Sequence, residues 1–226
     1  MDEIRYPRVD PSLQHPFTCV VAGPTGCGKS RFLREMIAGK HIFPFPDEIV
    51  WCYGTTAPPP DPLPNARYVR GLWVEPEGGS VKTLIVVDDL MSECADDKRL
   101  SDLFTRGSHH DNCSVIFVVQ NLFVQGREMR SITENCHYMA IFKNPRDASS
   151  VTRLAAQMYP GRTGFMTDAY SQATEEAYGY LFIDLKQDAH TEARLRTNIF
   201  ADISTVFVPR AVDAAGKSIK AGGRRR

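Results

Sequence analysis

The sequence predicts an α/β protein whose mostly parallel central sheet is sandwiched between helices. Short, almost continuous apolar runs alternate along the chain with amphipathic helical segments. Strands that are apolar throughout are buried on both faces, and their alternation with helices favours a parallel sheet. The 226 residues are 42% hydrophobic and 24% charged, which suits a globular domain and excludes a wholly disordered, collagen-like or coiled-coil chain.

Five apolar runs have the length and composition of buried strands, and they occupy residues 17–22, 48–53, 83–87, 114–119 and 137–142. Helical periodicity predicts helices over residues 29–38, 96–104, 128–135 and 148–158. Residues 178–185 and 194–200 alternate in polarity and predict a C-terminal β-hairpin. Five prolines between residues 55 and 65 exclude a helix or a central strand there.

The formal charge is zero, with 27 basic and 27 acidic side chains, but the charge is unevenly distributed. Residues 210–226 carry six basic side chains and one acidic one, so this segment is +5 and the rest of the chain is −5. We expect an N-terminal extension over 1–14, a folded domain over 15–208 and a basic, disordered tail over 209–226. Any binding of nucleic acid would depend on the tail and on local patches, because a neutral chain has no global basic field.

The six cysteines are scattered, and no pair has C-x-x-C spacing. The first ten residues are charged and contain no apolar run, so we expect no secretory signal and free thiols in a reducing, intracellular compartment. No apolar stretch approaches the ~20 residues that cross a bilayer, so no membrane span is expected. His109, His110 and Cys113 could begin a zinc site, but no second pair follows at a useful spacing.

A phosphate-binding loop is predicted between the first strand and the first helix, where the sequence fits G-x-x-x-x-G-K-[ST]. The loop consists of Gly23, Pro24, Thr25, Gly26, Cys27, Gly28, Lys29 and Ser30. Its glycines let backbone N–H groups curl around phosphates, and the helix N-terminus adds a positive dipole. Lys29 can reach the β- and γ-phosphates and Ser30 can bind Mg²⁺, so ATP and Mg²⁺ are the predicted cofactors.

Polar side chains also follow the third and fourth strands. Asp88, at the end of a buried strand beside the loop, is predicted to anchor Mg²⁺, and Asp89 to polarise the water that attacks the γ-phosphate. Gln120 is predicted to sense the γ-phosphate or to orient that water, as in ATPases whose fourth strand lies between the loop strand and the acidic strand. A turn-capping pair of aspartates and a solvent-facing glutamine are the structural alternatives.

A hydrolase that works as a ring takes an arginine from the adjacent subunit, and the candidates are Arg106, Arg130 and Arg146. Arg106 is preferred because it closes the helix that leads into the Gln120 strand. Residues 144–147 (NPRD) are superficially similar to the guanine-reading motif N-K-x-D, but Pro replaces Lys, so a GTPase is not predicted.

Four segments together resemble the genome-packaging ATPases of double-stranded DNA viruses, of the FtsK/HerA superfamily: HPFTCVVAGPTGCGKS, LIVVDDL, TRGSHHDNCSVIFVVQNLF and CHYMAIFKNPRD. The resemblance covers about residues 15–205 and is nearest to the versions in Polinton-like elements and adintoviruses, with poxvirus ATPases more distant. It implies a RecA-like P-loop NTPase of the ASCE class with strand order 5-1-4-3-2, which would make residues 15–208 the ATPase domain. It also implies a homo-oligomeric ring, hexameric or pentameric, that threads duplex DNA into a preformed capsid.

The resemblance supports the roles given above to Lys29, Ser30, Asp88, Asp89 and Gln120, and it matches the superfamily's trans-acting arginine to Arg106. The chain departs from cellular members at Asp89, where these commonly carry Glu. The implied partners are duplex DNA, bound without sequence preference, and a capsid or portal vertex. The implied location is the host nucleus or a viral assembly site, with association to the virion as a further expectation.

Several alternatives share the phosphate-binding loop. A DNA helicase would use the same motor core, and a small-molecule kinase of the nucleotide type would need an arginine-rich lid. An inactivated domain could serve as an interaction protein. Contacts to DNA would come from the basic tail and from loops near Arg127, Arg130, Lys143 and Arg146.

Overall fold

The computed structural model describes residues 12–54, 62–73, 81–90, 97–107, 112–123, 127–202 and 204–209, without the side chains of Arg106, Gly107 and Arg127. Within this part of the chain, a nine-stranded sheet carries helices on both faces, and a separate pair of two-residue strands lies beside it. The predicted basic tail after residue 209, most of the N-terminal extension and most of the proline-rich segment lie outside the described residues. None of the described helices is long and apolar enough to cross a membrane.

The strands are short; in the described residues, five of the eleven follow the predicted apolar runs and two follow the predicted C-terminal hairpin. In chain order they are β1 (Leu13–Gln14), β2 (Thr18–Ala22), β3 (Ile42–Phe43), β4 (Glu48–Tyr53), β5 (Ala66–Arg70), β6 (Thr83–Asp88), β7 (Cys113–Val119), β8 (Tyr138–Phe142), β9 (Tyr180–Asp184), β10 (Leu195–Thr197) and β11 (Thr205–Phe207).

The helices are α1 (Lys29–Ala38), α2 (Lys98–Asp102), α3 (Arg127–Glu134), α4 (Ala148–Met158) and α5 (Thr163–Ala173). A π-helical segment, Leu103–Gly107, continues α2 toward β7, where the sequence had predicted an α-helix to residue 104. Asp97 caps α2, because its side chain accepts a hydrogen bond from the Arg99 backbone N–H at 2.9 Å.

The strand order in the large sheet is β11-β10-β9-β8-β2-β7-β6-β4-β5. Counted from 1 to 5 along the chain, the five predicted strands lie side by side as 5-1-4-3-2. The six strands from β8 to β5 run parallel, whereas β9, β10 and β11 extend the sheet by antiparallel pairing. The prediction of a mostly parallel sheet therefore holds for six of the nine strands, and the sheet as a whole is mixed.

The sheet divides the apolar core into two layers because strand side chains alternate between faces. On one face α1 buries four apolar side chains against the sheet, namely Phe32, Leu33, Met36 and Ile37. On the other face α2, α3, α4 and α5 pack over Val20, Ile85 and Phe117. Every residue of β2, β7 and β8 is buried, and this burial explains why these strands are continuous apolar runs in the sequence.

His15 lies at the end of the sheet where β2 and β7 begin. Its Nδ1 is 2.5 Å from the Ser114 hydroxyl, and its Nε2 is 3.2 Å from the Asn112 side-chain oxygen. The same hydroxyl accepts a hydrogen bond from the Phe17 backbone N–H at 3.1 Å and still has its own proton to donate to Nδ1. A neutral imidazole with its proton on Nε2 satisfies both side-chain contacts. Burial is the main cause that lowers the pKa of His15, and the contact with Asn112 acts in the opposite direction.

We predict that His15 makes the protein less stable in acid. The unfolded chain takes up a proton near pH 6.5, the ordinary pKa of histidine, whereas the folded chain does so only at lower pH. The contribution of His15 to the free energy of unfolding is therefore fully present above pH 6.5. It is lost as the pH falls from 6.5 toward the pKa of His15 in the folded chain. Urea unfolding at pH 7.5 and at pH about 5.5 should show a smaller pH effect in His15→Gln than in the wild type. Equal pH effects in the two proteins would contradict this role of His15.

Candidate functional site

The predicted phosphate-binding loop, residues 23–30, joins β2 to α1 at the carboxyl edge of the parallel strands. The Gly23 N–H donates to the Val119 carbonyl at 3.1 Å, which ties the start of the loop to β7. Gly26 and Gly28 have φ angles of 79° and 112°, in the left-handed region that favours glycine. The loop backbone therefore turns back on itself in the way that the motif predicts.

Gly23 and Gly28 allow close packing of the loop, and Gly28 also has the left-handed backbone. A Cβ atom on Gly23 would lie 2.7 Å from the Phe142 Cβ and 2.6 Å from the Cys27 Sγ. A Cβ atom on Gly28 would lie 3.1 Å from the Tyr178 Cβ. The loop thus rests directly on β8 and on the turn before β9. Burial raises the pKa of the Cys27 thiol, which fits a filler of the loop better than a reactive group.

Lys29 begins α1 and extends over the start of the loop. Its Nζ donates to the Gly23 carbonyl at 2.6 Å and to the Pro24 carbonyl at 3.0 Å. Ser30 and Arg31 follow on the exposed first turn of α1, and no side chain caps this helix. The first N–H groups of a helix have no intrahelical acceptor and carry the positive end of its dipole, so this turn suits an anion.

Asp88 is the last residue of β6 and lies on the same face of the sheet as Val86 and α1. Its side chain is half-buried, and this burial is the main cause that raises the pKa of Asp88. Lys29 opposes the shift, and the charge of Asp89 adds to it. The Trp51 indole N–H also favours the carboxylate, although it falls short of hydrogen-bond geometry and has no partner among the described residues.

Asp89 is exposed and has a left-handed backbone, with φ of 55°. Strict strand alternation would direct this side chain to the face opposite Asp88. The left-handed conformation ends the strand instead, and both carboxylates line one cleft. A non-glycine residue in this region is uncommon and costs conformational energy, which surrounding structure must compensate.

Gln120 directly follows β7, which lies between β2 and β6 in the sheet. Val118 of β7 is opposite Val21 on one side and Asp88 on the other. Gln120 is two residues after Val118, directly beyond the end of β7, and is exposed at the same edge of the sheet. The glutamine therefore stands between the phosphate-binding loop and the acidic pair.

These groups meet in one cleft of about 370 Å³, which we call the phosphate cleft. It is lined by Thr25, Gly26, Gly28, Lys29, Ser30, Arg31, Asp88, Asp89, Val118, Val119 and Gln120. The structure thus brings together the predicted lysine, serine, carboxylates and glutamine, while Gly23, Pro24 and Cys27 shape the loop behind them. Arg31 lines the cleft as well, although it is not part of the motif; its position directly after Ser30 is the signal in the sequence that could have indicated it.

The three candidate arginines are differently placed. Arg106 lies in the π-helical segment, and its side chain is outside the described residues. Arg130 is exposed on α3 and pairs with Glu134 at 2.8 Å. Arg146 lines a second cleft, of about 760 Å³, which borders the loop at Pro24 and Thr25 and also includes Gln120. Asp147, from the NPRD segment, caps α4 by accepting a hydrogen bond from the Ser150 N–H at 3.1 Å.

The donor set in the phosphate cleft fits Mg²⁺. The Ser30 hydroxyl and the Asp88 carboxylate offer oxygen donors, and Mg²⁺ is commonly held by one or two carboxylates together with phosphates and water. The described residues contain no cluster of three or more His, Cys, Asp or Glu side chains that could hold a metal by themselves. Cys19, Cys27, Cys52, Cys113 and Cys136 are free thiols, and His109 and His110 lie outside the described ranges.

No protein family model and no curated protein matches the sequence. Solved structures do match the fold. The genome packaging NTPase B204 from Sulfolobus turreted icosahedral virus 2, in complex with ATP-gammaS, has a TM-score of 0.50 and 10% identity over 89% of this chain and 99% of its own.

Two further structures are less similar. B204, the DNA-packaging ATPase from Sulfolobus turreted icosahedral virus, has a TM-score of 0.45 and 12% identity over 85% of this chain and 97% of its own. The ATPase DotB from Legionella pneumophila has a TM-score of 0.33 and 12% identity over 71% of this chain and 53% of its own. The similarity to B204 from Sulfolobus turreted icosahedral virus 2 is a similarity of fold. Both proteins have a mixed α/β architecture with a large central sheet.

Proposed function

We propose that the protein is an ATP-driven double-stranded DNA translocase that packages a viral genome into a preformed capsid. The observation that carries the ATPase part is the phosphate cleft, in which a glycine-rich loop, a lysine, two carboxylates and a glutamine come from three adjacent strand ends. The similarity in fold to a viral genome packaging NTPase supports the packaging part. The sequence resemblance supports a RecA-like, ASCE-class member of the FtsK/HerA superfamily.

The loop and α1 would bind the triphosphate. Lys29 Nζ, now held by two loop carbonyls, would exchange them for phosphate oxygens, and the exposed first turn of α1 would donate its N–H groups. Mg²⁺ bound at Ser30 and Asp88 would neutralise charge on the phosphates. The raised pKa of Asp88 fits a carboxylate whose charged form needs a nearby cation.

Asp89 and Gln120 would act on the attacking water. The exposed Asp89 carboxylate can accept a proton from water at the open side of the cleft, and the Gln120 amide can fix the direction of attack. In a head-to-tail ring of five or six subunits, Arg106 of a neighbour would stabilise the charge that develops on the γ-phosphate. Hydrolysis would then change the subunit contacts and move the loops that hold DNA, in the host nucleus or at a viral assembly site.

We predict that Lys29→Ala reduces ATP hydrolysis at least about 100-fold, because it removes the positive charge that faces the β- and γ-phosphates. Lys40→Ala is the matched control, since Lys40 is exposed just beyond the other end of α1. Steady-state phosphate release measures the effect. Turnover retained in Lys29→Ala would show that hydrolysis does not take place at this loop.

Asp89→Asn should leave ATP affinity close to that of the wild type and lower kcat by roughly 10²- to 10⁴-fold, the usual contribution of a general base. Asp168→Asn, an exposed carboxylate on α5, serves as the control and should change neither quantity. Calorimetric binding of ATP and single-turnover hydrolysis separate the two effects. A normal kcat in Asp89→Asn would assign the base to another group.

Duplex DNA should raise the ATPase rate, and removal of residues 210–226 should weaken DNA affinity at low salt more than it lowers the basal rate. The deleted segment carries six basic side chains, and each lost phosphate contact flattens the salt dependence of binding. DNA titrations of the ATPase at two salt concentrations measure both effects. Unchanged DNA affinity would make the tail dispensable for binding.

The same assays separate the alternatives. Strand separation by the protein would favour a helicase. Phosphate transfer to a nucleotide acceptor without stimulation by DNA would favour a nucleotide-type kinase. Nucleotide binding without turnover would favour an inactivated interaction domain.

A further inference from the structure

A third cleft, of about 250 Å³, adjoins the phosphate cleft, and we call it the Tyr178 cleft. The two clefts share Gly28 and Arg31 of the loop and α1. Beyond these residues, the Tyr178 cleft lies between α1, the turn that precedes β9 and the segment that follows β10. A ligand bound at the loop would reach the Tyr178 cleft past these two shared residues.

Tyr178 is held at this position by its turn. The Gly179 N–H donates to the Glu176 carbonyl at 3.1 Å, and a Cβ atom on Gly179 would lie 2.4 Å from the Ala173 carbonyl oxygen. Tyr178 itself has a left-handed backbone, with φ of 64°, and packs onto Gly28. Its side chain nevertheless stays 56% exposed. A large ring in a strained backbone conformation is thus presented to solvent at the edge of the loop.

Arg31 contacts the Tyr178 ring from α1. Its guanidinium lies 5.7 Å from the centroid of the Tyr178 ring, which is within cation–π range. The contact orients the ring and places a positive charge where the two clefts meet. That charge suits the phosphate nearest to a nucleoside, while the ring offers an apolar face.

The direction of a bound triphosphate follows from the groups at the two ends of the loop. Lys29 Nζ lies over Gly23 and Pro24, and Gln120 borders the same end of the loop in the second cleft. In the proposed function these groups act on the terminal phosphates. A nucleoside would then leave the phosphate cleft at the opposite end, at Gly28 and Arg31, next to Tyr178.

We propose that the Tyr178 cleft is the nucleoside subsite and that Tyr178 is the platform on which the base of a bound nucleoside triphosphate stacks. The inference rests on the proposed function and adds to it the residue that binds the base. Aromatic side chains stack on any of the nucleobases, because every base has a π-face. Glu35, Gln172 and Asn198 line the same cleft and offer polar groups to the edge of the base and to the ribose hydroxyls.

The test compares two probes by calorimetry with the whole chain, namely Mg-ATP and inorganic tripolyphosphate, which has the phosphates without the nucleoside. Tyr178→Ala should weaken ATP binding by roughly 10- to 100-fold, the usual effect of losing one stacked ring. Its affinity for tripolyphosphate should stay that of the wild type. Tyr178→Phe keeps the ring and should bind ATP normally, and Phe43→Ala removes another exposed aromatic, one that lines neither cleft.

Other outcomes overturn the proposal in distinguishable ways. An equal loss of ATP and tripolyphosphate affinity in Tyr178→Ala would mean that the ring only supports the loop through Gly28. Unchanged ATP affinity would mean that the base binds elsewhere. If the wild-type protein binds neither probe, the proposed function fails and the subsite fails with it.

Discussion

The insertion of β7 between β2 and β6 is the constraint on which the candidate site depends. Because β7 is parallel to both neighbours and hydrogen-bonded to both, the three strands end at one edge of the sheet. The loop after β2, the carboxylates after β6 and the glutamine after β7 are therefore held together by backbone pairing. If β2 and β6 were direct neighbours, no strand end would separate the loop from the acidic pair.

Two adjacent carboxylates acquire different properties at this edge. Asp88 is half-buried in the pleat, where loss of hydration raises its pKa and Lys29 only partly compensates. Asp89 leaves the pleat through a left-handed backbone and remains in contact with solvent. The two carboxylates thus differ in environment and not in residue type, and the proposed function gives the half-buried one the cation and the exposed one the attacking water.

The parts of this architecture that were predictable from sequence are those with a local signal. The buried strands could be predicted because burial on both faces leaves a continuous apolar run, and the loop because its glycines and lysine follow a fixed spacing. By contrast, β5 is only half-buried and α5 begins with Thr-Gly, so neither has a strong periodic pattern.

The contact between Gly28 and Tyr178 was not predictable for a different reason. The two residues are far apart in the chain, and only the antiparallel extension of the sheet by β9 brings them together. No spacing rule links a glycine in the loop to a tyrosine in a distant turn. The left-handed backbone of Asp89 likewise depends on its surroundings, since aspartate tolerates several backbone conformations at the end of a strand.

The half-exposed strand β5 has a consequence for how copies of this protein can assemble. Within the described residues it pairs with β4 alone, so it forms an edge of the sheet with unsatisfied backbone groups. Such edges invite strand-to-strand polymerisation unless charge opposes it. Arg70 is exposed on this strand, whereas Arg67 is paired with Glu48 of β4 at 2.9 Å, so two copies brought edge to edge would place the like charges of Arg70 together. Self-association through this edge is therefore disfavoured, and the opposite edge of the sheet in the described residues is formed by β11.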